Sequence, residues 1–371
     1  MWSYWEWKNF RKYDLVIVGA GIVGLSTAIQ YKEKYPQRKV LVLERGLLPT
    51  GASTKNAGFA CFGSLTEILD DLQVMNDELV LATVEKRYKG LCAIRERFGD
   101  ESLGYQHTGG FELFTDAEMP ALDSMKKINQ FLFPLFQADV FSKVENIGQF
   151  RFGPSVRAVV KNQFEGELDT GKFIQSLWQE AQRLGVFILT GAEVMDIDQE
   201  EGLLIVKEAN GGERTFEANQ LAICTNAFTR KFLSHLELVP GRGLVFVTKP
   251  LDNPLPWSGS FHYDKGYVYF RCIDNRLLLG GGRNKDYTGE QTENFEINPL
   301  IHDYLVKLLD EVILPNQSIE IDLEWTGIMA FGSTKMPIIE QINERTFCAV
   351  RLGGMGVAIG WQTASELVDL L

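Results

Sequence analysis

Residues 14–26 read DLVIVGAGIVGLS: a short apolar run, a glycine triad spaced G-x-G-x-x-G, and the start of an amphipathic stretch. Asp14 to Val18 is the length and composition of a buried strand, and Ile22 to about Lys34 follows with helical periodicity. A second apolar strand, Lys39 to Glu44, completes a βαβ unit and ends on an acidic residue twenty positions beyond Gly24. Each glycine has a separate physical job. Gly19 permits the tight turn, Gly21 lets backbone approach a pyrophosphate, and Gly24 allows close helix–strand packing; Ile22 and Val23 then offer free helix N-terminal N–H groups. Glu44 would accept hydrogen bonds from ribose hydroxyls. This reading predicts a dinucleotide site, with Arg45 beside Glu44 the only hint of a 2′-phosphate and the acidic residue arguing against it.

The bounds around this motif are broad. A chain of 371 residues predicts two domains or one with a large insertion. A net charge of −12, with no clustered basic stripe, opposes nucleic acid as a partner. Five scattered cysteines without a CxxC pair suggest neither a zinc site nor a disulfide framework, and favour reduced thiols in the cytoplasm. His235, His262 and His302 show no paired spacing, so no metal site is expected. The start, MWSYWEWKNFRKYD, lacks the order of a signal peptide, and the run LVIVGAGIVGLSTAI is too short for a transmembrane span. Trp2, Tyr4, Trp5 and Trp7 are expected to dock an arm on the body, with contact to a membrane surface as the other option.

Downstream of Glu44, residues 51–63 read GASTKNAGFACFG, a low-bulk loop that returns toward the first glycine turn. A helical region from about Leu65 to Phe98, a strand at Phe111 to Phe114 and a helix from Asp116 to about Phe131 are expected next. Thr170 to Leu184 reads as helix, Val186 to Leu189 and Leu221 to Cys224 as strands. Between Arg242 and Gly282 the runs LVFVTKP, GYVYFRC and RLLLGGG predict an antiparallel sheet, with a hairpin turn at Ile273-Asp274-Asn275. Alternation puts Tyr267, Tyr269 and Arg271 on one face. That face points at substrate, or else Arg271 satisfies a neighbouring strand or a carbonyl and the tyrosines are core residues with wet tips. The end, TFCAVRLGGMGVAIGWQTASELVDLL, is a strand, a glycine turn and a helix.

GAGIVG, ERG, GASTKNAG, TNAFT after LAIC, and LGGMGVAIG occur in the order that resembles the D-amino-acid oxidase and glycine oxidase superfamily of FAD-dependent oxidoreductases, over nearly the whole chain. Within it, GASTKNAG and FRCIDNRLLLGGG look most like the branch of gamma-glutamylputrescine oxidase and related amine oxidoreductases. The resemblance implies an α/β fold: a Rossmann-like FAD-binding domain with a parallel central sheet, residues 1–87, 151–239 and 323–371, and an inserted α+β substrate domain with a mainly antiparallel sheet, residues 88–150 and 240–322. It implies noncovalent FAD held by Gly19, Gly21, Ile22, Val23, Gly24, Glu44, Arg45, Ala52, Ser53, Asn56, Ala57, Gly58, Val194, Thr225, Asn226, Gly353, Gly354, Met355, Gly356 and Val357, with the Asn56 amide reaching the cofactor. Cys61 is expected to be a small buried thiol rather than a flavin attachment point.

The implied activity is oxidation of the C–N bond of an amine or amino acid, hydride passing to flavin N5 and the imine hydrolysing, with oxygen or another acceptor taking the electrons. Tyr269, Arg271 and His107 are the candidate substrate contacts, and no side-chain base is required. A 2-hydroxy-acid dehydrogenase of the same superfamily and a flavin-binding subunit without turnover are the alternatives. One departure stands out. Where relatives carry a W-G-x-R-P-like arginine for the substrate carboxylate, this chain has Trp325-Thr-Gly327-Ile328-Met329, so Arg271 or Arg283 supplies the charge or the substrate lacks the carboxylate. Lys335, where relatives often carry an acid, is expected to face solvent or a different ligand.

Overall fold

In the computed structural model, which describes residues 1–208 and 211–371, the opening motif folds as its pattern predicts: strand Lys12–Val18, helix Ile22–Lys34 and strand Val40–Leu43. Lys12–Val18 is the middle of five parallel strands, flanked by Glu213–Ile223 and Thr346–Val350 on one side and by Val40–Leu43 and Phe187–Leu189 on the other. Strands buried on both faces read as continuous apolar runs, and VLVL at 40–43 is fully buried. Helices Ile22–Lys34, Thr170–Arg183 and Gly356–Leu370 cover one face through Leu25, Ile29, Phe173, Leu177 and Leu367.

A second eight-stranded sheet runs Ile321–Phe331, Val239–Thr248, Arg276–Gly281, Val268–Ile273, Ser260–Tyr263, Gly110–Phe114, Ala158–Asn162, Phe141–Lys143. It is antiparallel except where Ser260–Tyr263 lies parallel to Gly110–Phe114. Phe111, Phe261 and Phe270 stack through its core at centroid spacings of 5.0 and 4.9 Å. The hairpin turn is built as expected: Asp274 and Asn275 have φ of 48° and 57°, the pair of left-handed residues a two-residue hairpin demands.

Several boundaries differ from expectation. The region 65–98 is two helices, Leu65–Val74 and Asp77–Phe98, because Asn76 caps the second by accepting from Leu79 N at 2.8 Å. The helix expected from Asp116 starts as a 3₁₀ turn, Met119–Ser124, and becomes α-helical only over Met125–Phe136, after Pro120 removes a backbone donor. Strand Ala158–Asn162 lies in the antiparallel sheet although 151–239 was assigned to the nucleotide-binding segment, and Ile321–Phe331 crosses the 322/323 boundary to form that sheet's edge. Both strands are apolar on the face their sheet buries, and composition alone does not say which sheet. The amino-terminal arm is a short helix, Tyr4–Phe10, held by Trp2, whose ring meets Phe216 at 5.7 Å; Tyr4, Trp5 and Trp7 remain exposed.

Candidate active site

The glycine turn is packed as tightly as its spacing requires. Gly19 has φ of +104° and lies against the Cys224 carbonyl, while a Cβ on Gly24 would fall 1.9 Å from the Gly19 carbonyl oxygen. Gly24→Ala is therefore expected to cost about 1–3 kcal/mol by overpacking and to lower the flavin content of purified protein. An unchanged denaturant midpoint would remove the packing argument. Gly21 caps helix Ile22–Lys34 without a side chain of its own; the Ile22 N–H expected to be free is taken by Ser53 Oγ, and the next N–H groups of the first turn stay available at the positive end of the helix.

The low-bulk loop does return to this turn. Ser53 Oγ accepts from Ile22 N at 3.0 Å, and a Cβ on Gly21 would stand 2.8 Å from that oxygen. Glu44 spans the turn from below, accepting from Ala20 N at 3.1 Å and Gly46 N at 2.9 Å. Arg45 lays its guanidinium 3.8 Å over the Phe228 ring. Asn56 behaves differently from expectation: its amide donates to Ala52 O and Ser53 O, and its Oδ1 accepts from Gly58 N at 2.9 Å, so it shapes the loop itself.

One cavity of about 1120 Å³ runs from the glycine turn to the antiparallel sheet. Gly19, Gly21, Ile22, Val23, Glu44, Arg45, Ala52, Ser53, Asn56, Ala57, Val194, Thr225, Asn226 and the turn Gly353–Val357 all line it. Gly24 and Gly58 do not; the first packs helix on strand and the second crosses the Leu168 carbonyl at φ of +74°. Gly353 and Gly354 also have positive φ, 57° and 86°, which gives the second glycine turn its conformation.

At the sheet end the lining is Tyr267, Tyr269, Arg283, Tyr287, Met329 and Phe331, together with Phe59, Cys61, Glu67 and His262; His262 is the cross-strand neighbour of Tyr269, and Phe59 packs edge-on against both rings. Burial pushes the Tyr269 hydroxyl up to about 12, so it stays protonated as a donor. Arg271 leaves this face. Its Nη1 donates to Ala57 O at 3.3 Å, Gly58 O at 3.0 Å and Leu168 O at 2.9 Å, and its Nε stands 3.5 Å from Glu167 Oε2. It is a buried staple under the loop, not a substrate contact. His107 is exposed, with Nε2 2.7 Å from Gln163 O, and lies outside the cavity.

Arg283 is the arginine that faces the space at the sheet end. Its guanidinium lies 3.9 Å over Phe331 and 4.9 Å over Tyr287, and among the described residues it makes no ion pair and no hydrogen bond. Burial lowers its affinity for the proton, opposed by the surrounding tyrosines and Glu290. Of the other cavity cations, Lys335 pairs with the buried Asp71 rather than facing solvent alone, Lys265 pairs with Asp70 at 3.2 Å and Lys231 with Glu193 at 3.6 Å, while Arg45 and Lys55 rest on the rings of Phe228 and Phe295 with no ion pair among the described residues. Sequence reasoning raised Arg283 only as a substitute. The signal was its place at the end of strand Arg276–Gly281, next to a missing arginine at Met329.

Around His262 lies a buried polar cluster that the sequence did not announce. Glu165 Oε1 accepts from Phe62 N at 3.0 Å and Gly63 N at 3.2 Å. His262 Nε2 is 3.5 Å from Glu165 Oε2, and its Nδ1 is 3.8 Å from Glu67 Oε2. Burial alone would push the imidazolium down, but Glu165, Glu67 and Glu112 hold it up at about 9. Burial raises the Glu112 carboxyl to about 7, against hydrogen bonds from Thr66. Cys61 is buried as expected, its thiol raised well above the usual value by burial and by Glu165.

Comparison with known proteins places this geometry. A family model described as FAD dependent oxidoreductase, DAO, matches residues 14–370. A probable oxidoreductase, OrdL, of Haemophilus influenzae is 22% identical over 361 residues, covering 93% of this chain and 80% of that protein. A glycine oxidase of Bacillus licheniformis is 23% identical over 378 residues, covering 97% and 93%. The crystal structure of glycine oxidase from Geobacillus kaustophilus superposes with a TM-score of 0.78 at 18% identity, covering 97% of this chain and 95% of that one. No helix among the described residues is long and apolar enough to cross a membrane.

Proposed function

This chain belongs to the DAO family of FAD-dependent oxidoreductases, and on that premise we propose that it oxidises the C–N bond of a small amino acid, whose carboxylate is held by Arg283. The observation that carries the reading is an Arg283 guanidinium without a carboxylate partner, stacked between Phe331 and Tyr287 on the wall of the cavity. A half-buried cation left unmatched by the protein is an anion site, and the planar fork of arginine suits a carboxylate. It occupies the role left open by Met329.

The residues present fit FAD. The open helix end at Gly21 suits a pyrophosphate, the oxygens of Glu44 keep lone pairs for ribose hydroxyls, and the glycine turn at 353–356 leaves room for a flat ring at the other end of the cavity. Noncovalent attachment is our reading, supported by the unreactive state into which burial puts the Cys61 thiol. FAD, when bound, supplies the two-electron acceptor for the substrate C–H bond. The chain supplies the rest. Arg283 orients the carboxylate, the Tyr269 hydroxyl donates a hydrogen bond from the wall, and Tyr267, Met329 and Phe331 exclude water. A dry site disfavours an ammonium ion, so the substrate amine becomes neutral and keeps the lone pair that imine formation uses. No side chain in the cavity is needed to abstract the carbon-bound hydrogen as a proton. Five unpaired cysteines support a cytoplasmic setting.

Anaerobic mixing of the purified yellow protein with D- and L-amino acids, N-methyl amino acids, their decarboxylated amines and 2-hydroxy acids tests this. Bleaching by a carboxylated amine and not by its decarboxylated counterpart is the expected result. Bleaching by the 2-hydroxy acids alone would replace the C–N reading, and reduction by nothing in the panel would favour a subunit without turnover. Admitting oxygen afterwards reads the electron acceptor.

A further inference from the structure

The cluster beneath the Phe59–Gly63 segment assembles three metal-ligating side chains from three distant parts of the chain. Cys61 Sγ, a carboxylate oxygen of Glu165 and a ring nitrogen of His262 all lie within 4.8 Å of one another, and all three residues are buried. Glu165 Oε2 and His262 Nε2 face each other at 3.5 Å as an ion pair and neither makes a hydrogen bond. These residues are 1% and 4% exposed, so bulk solvent does not reach them.

The placement is built rather than accidental. Glu165 is pinned by Phe62 N and Gly63 N through Oε1, which aims Oε2 inward. A Cβ on residue 110 would sit 2.0 Å from that oxygen, so Gly110 makes room for it. The His262 ring is braced edge-on against Phe59 at 5.4 Å. A fourth soft donor is close: Met355 Sδ lies 4.0 Å from Cys61 Sγ. Cys61 and His262 line the cavity while Glu165 lies behind them, so the open side of the cluster faces the cavity.

We propose that Cys61, Glu165 and His262 form a zinc-type divalent metal site with an open coordination position toward the cavity. One soft thiolate, one borderline imidazole and one hard carboxylate make a mixed S, N, O set that suits Zn²⁺, whereas Mg²⁺ and Ca²⁺ take oxygen ligands. The 3.5 Å between His262 Nε2 and Glu165 Oε2 matches the separation of two donors about 2.1 Å from one tetrahedral ion. Charge balances on binding. Without metal, an imidazolium, a carboxylate and a thiol sum to zero; with a divalent ion, the imidazole and thiol each release one proton, and the sum is again zero. A ligand entering from the cavity, water or an anionic oxygen of a small molecule, would take the fourth position. The site is independent of the Arg283 reading, because it uses none of the same residues.

The test uses the flavin-containing protein as purified, treated with chelator, dialysed, and titrated with Co²⁺ and then Zn²⁺. About one equivalent of Co²⁺ should bind, with d–d bands to the red of flavin absorption that Zn²⁺ abolishes. Cys61→Ser and His262→Gln should each weaken binding by about 10- to 100-fold, and exposed His235→Gln should leave it unchanged. Flavin content and circular dichroism of each variant establish that it is folded; if His262→Gln fails to fold, the Cys61→Ser arm decides, since among the described residues that thiol's one hydrogen-bond contact is with Met355 Sδ. No binding above background in the parent protein, or binding of equal strength in Cys61→Ser, would overturn the assignment.

Discussion

Arg283→Ala should weaken the binding of an amino-acid substrate by about 100-fold, the equivalent of about 3 kcal/mol for a charge-assisted pair of hydrogen bonds. The expectation follows from what surrounds the guanidinium. Phe331 and Tyr287 hold its plane at 3.9 and 4.9 Å but return no charge, so the anion must come from outside the protein. The loss should fall on KM for the carboxylated substrate and on the Kd of a simple carboxylate competitor read through the flavin spectrum. A decarboxylated amine, with nothing for the guanidinium to hold, should lose little. Arg283→Lys restores the charge without the planar fork and should recover only part of the affinity. Equal losses for the acid and the amine would mean that Arg283 supports the wall and does not recognise the carboxylate.

Arg271→Met should destabilise the protein by about 3–5 kcal/mol, because it leaves the buried Glu167 carboxylate without its countercharge. The Ala57, Gly58 and Leu168 carbonyls lose a donor in the same step. For a chain of this size such a change lowers Tm by about 5 °C, and the loop from Ser53 to Gly58 should lose its hold on the cavity, so flavin content falls as well. Removing the stranded charge should help: Arg271→Met with Glu167→Gln is expected to be more stable than Arg271→Met alone. A stable Arg271→Met protein with raised KM would restore the substrate-contact role that the alternation of GYVYFRC allowed.

These two arginines show where the sequence stops informing. Alternation put Tyr267, Tyr269 and Arg271 on one face, and both tyrosines do line the cavity. Two residues further on, however, that face passes under the loop carrying Ala57 and Gly58, a contact made across more than two hundred residues. Arg283, by contrast, sits just beyond strand Arg276–Gly281, and Phe331 reaches it from Ile321–Phe331 across the intervening strand Val239–Thr248. The two missed sheet memberships have the same origin. Ala158–Asn162 and Ile321–Phe331 carry strand patterns, but which sheet accepts a strand depends on partners remote in sequence.

What the sequence determined by itself is whatever a short window contains. The strand–turn–helix of 12–34, the acidic end of the second strand, the left-handed Asp274-Asn275 turn and the positive-φ glycines near the C-terminus are all set by local sterics, since few residues other than glycine, Asn or Asp tolerate those conformations. Only the tertiary structure decided which charges are matched. It buried Arg271 among carbonyls, left Arg283 facing open space, and brought Cys61, Glu165 and His262 from residues 61, 165 and 262 to one point. A charge's role depends on its distance to other charges and on the water removed around it, and both are properties of packing that no spacing along the chain records.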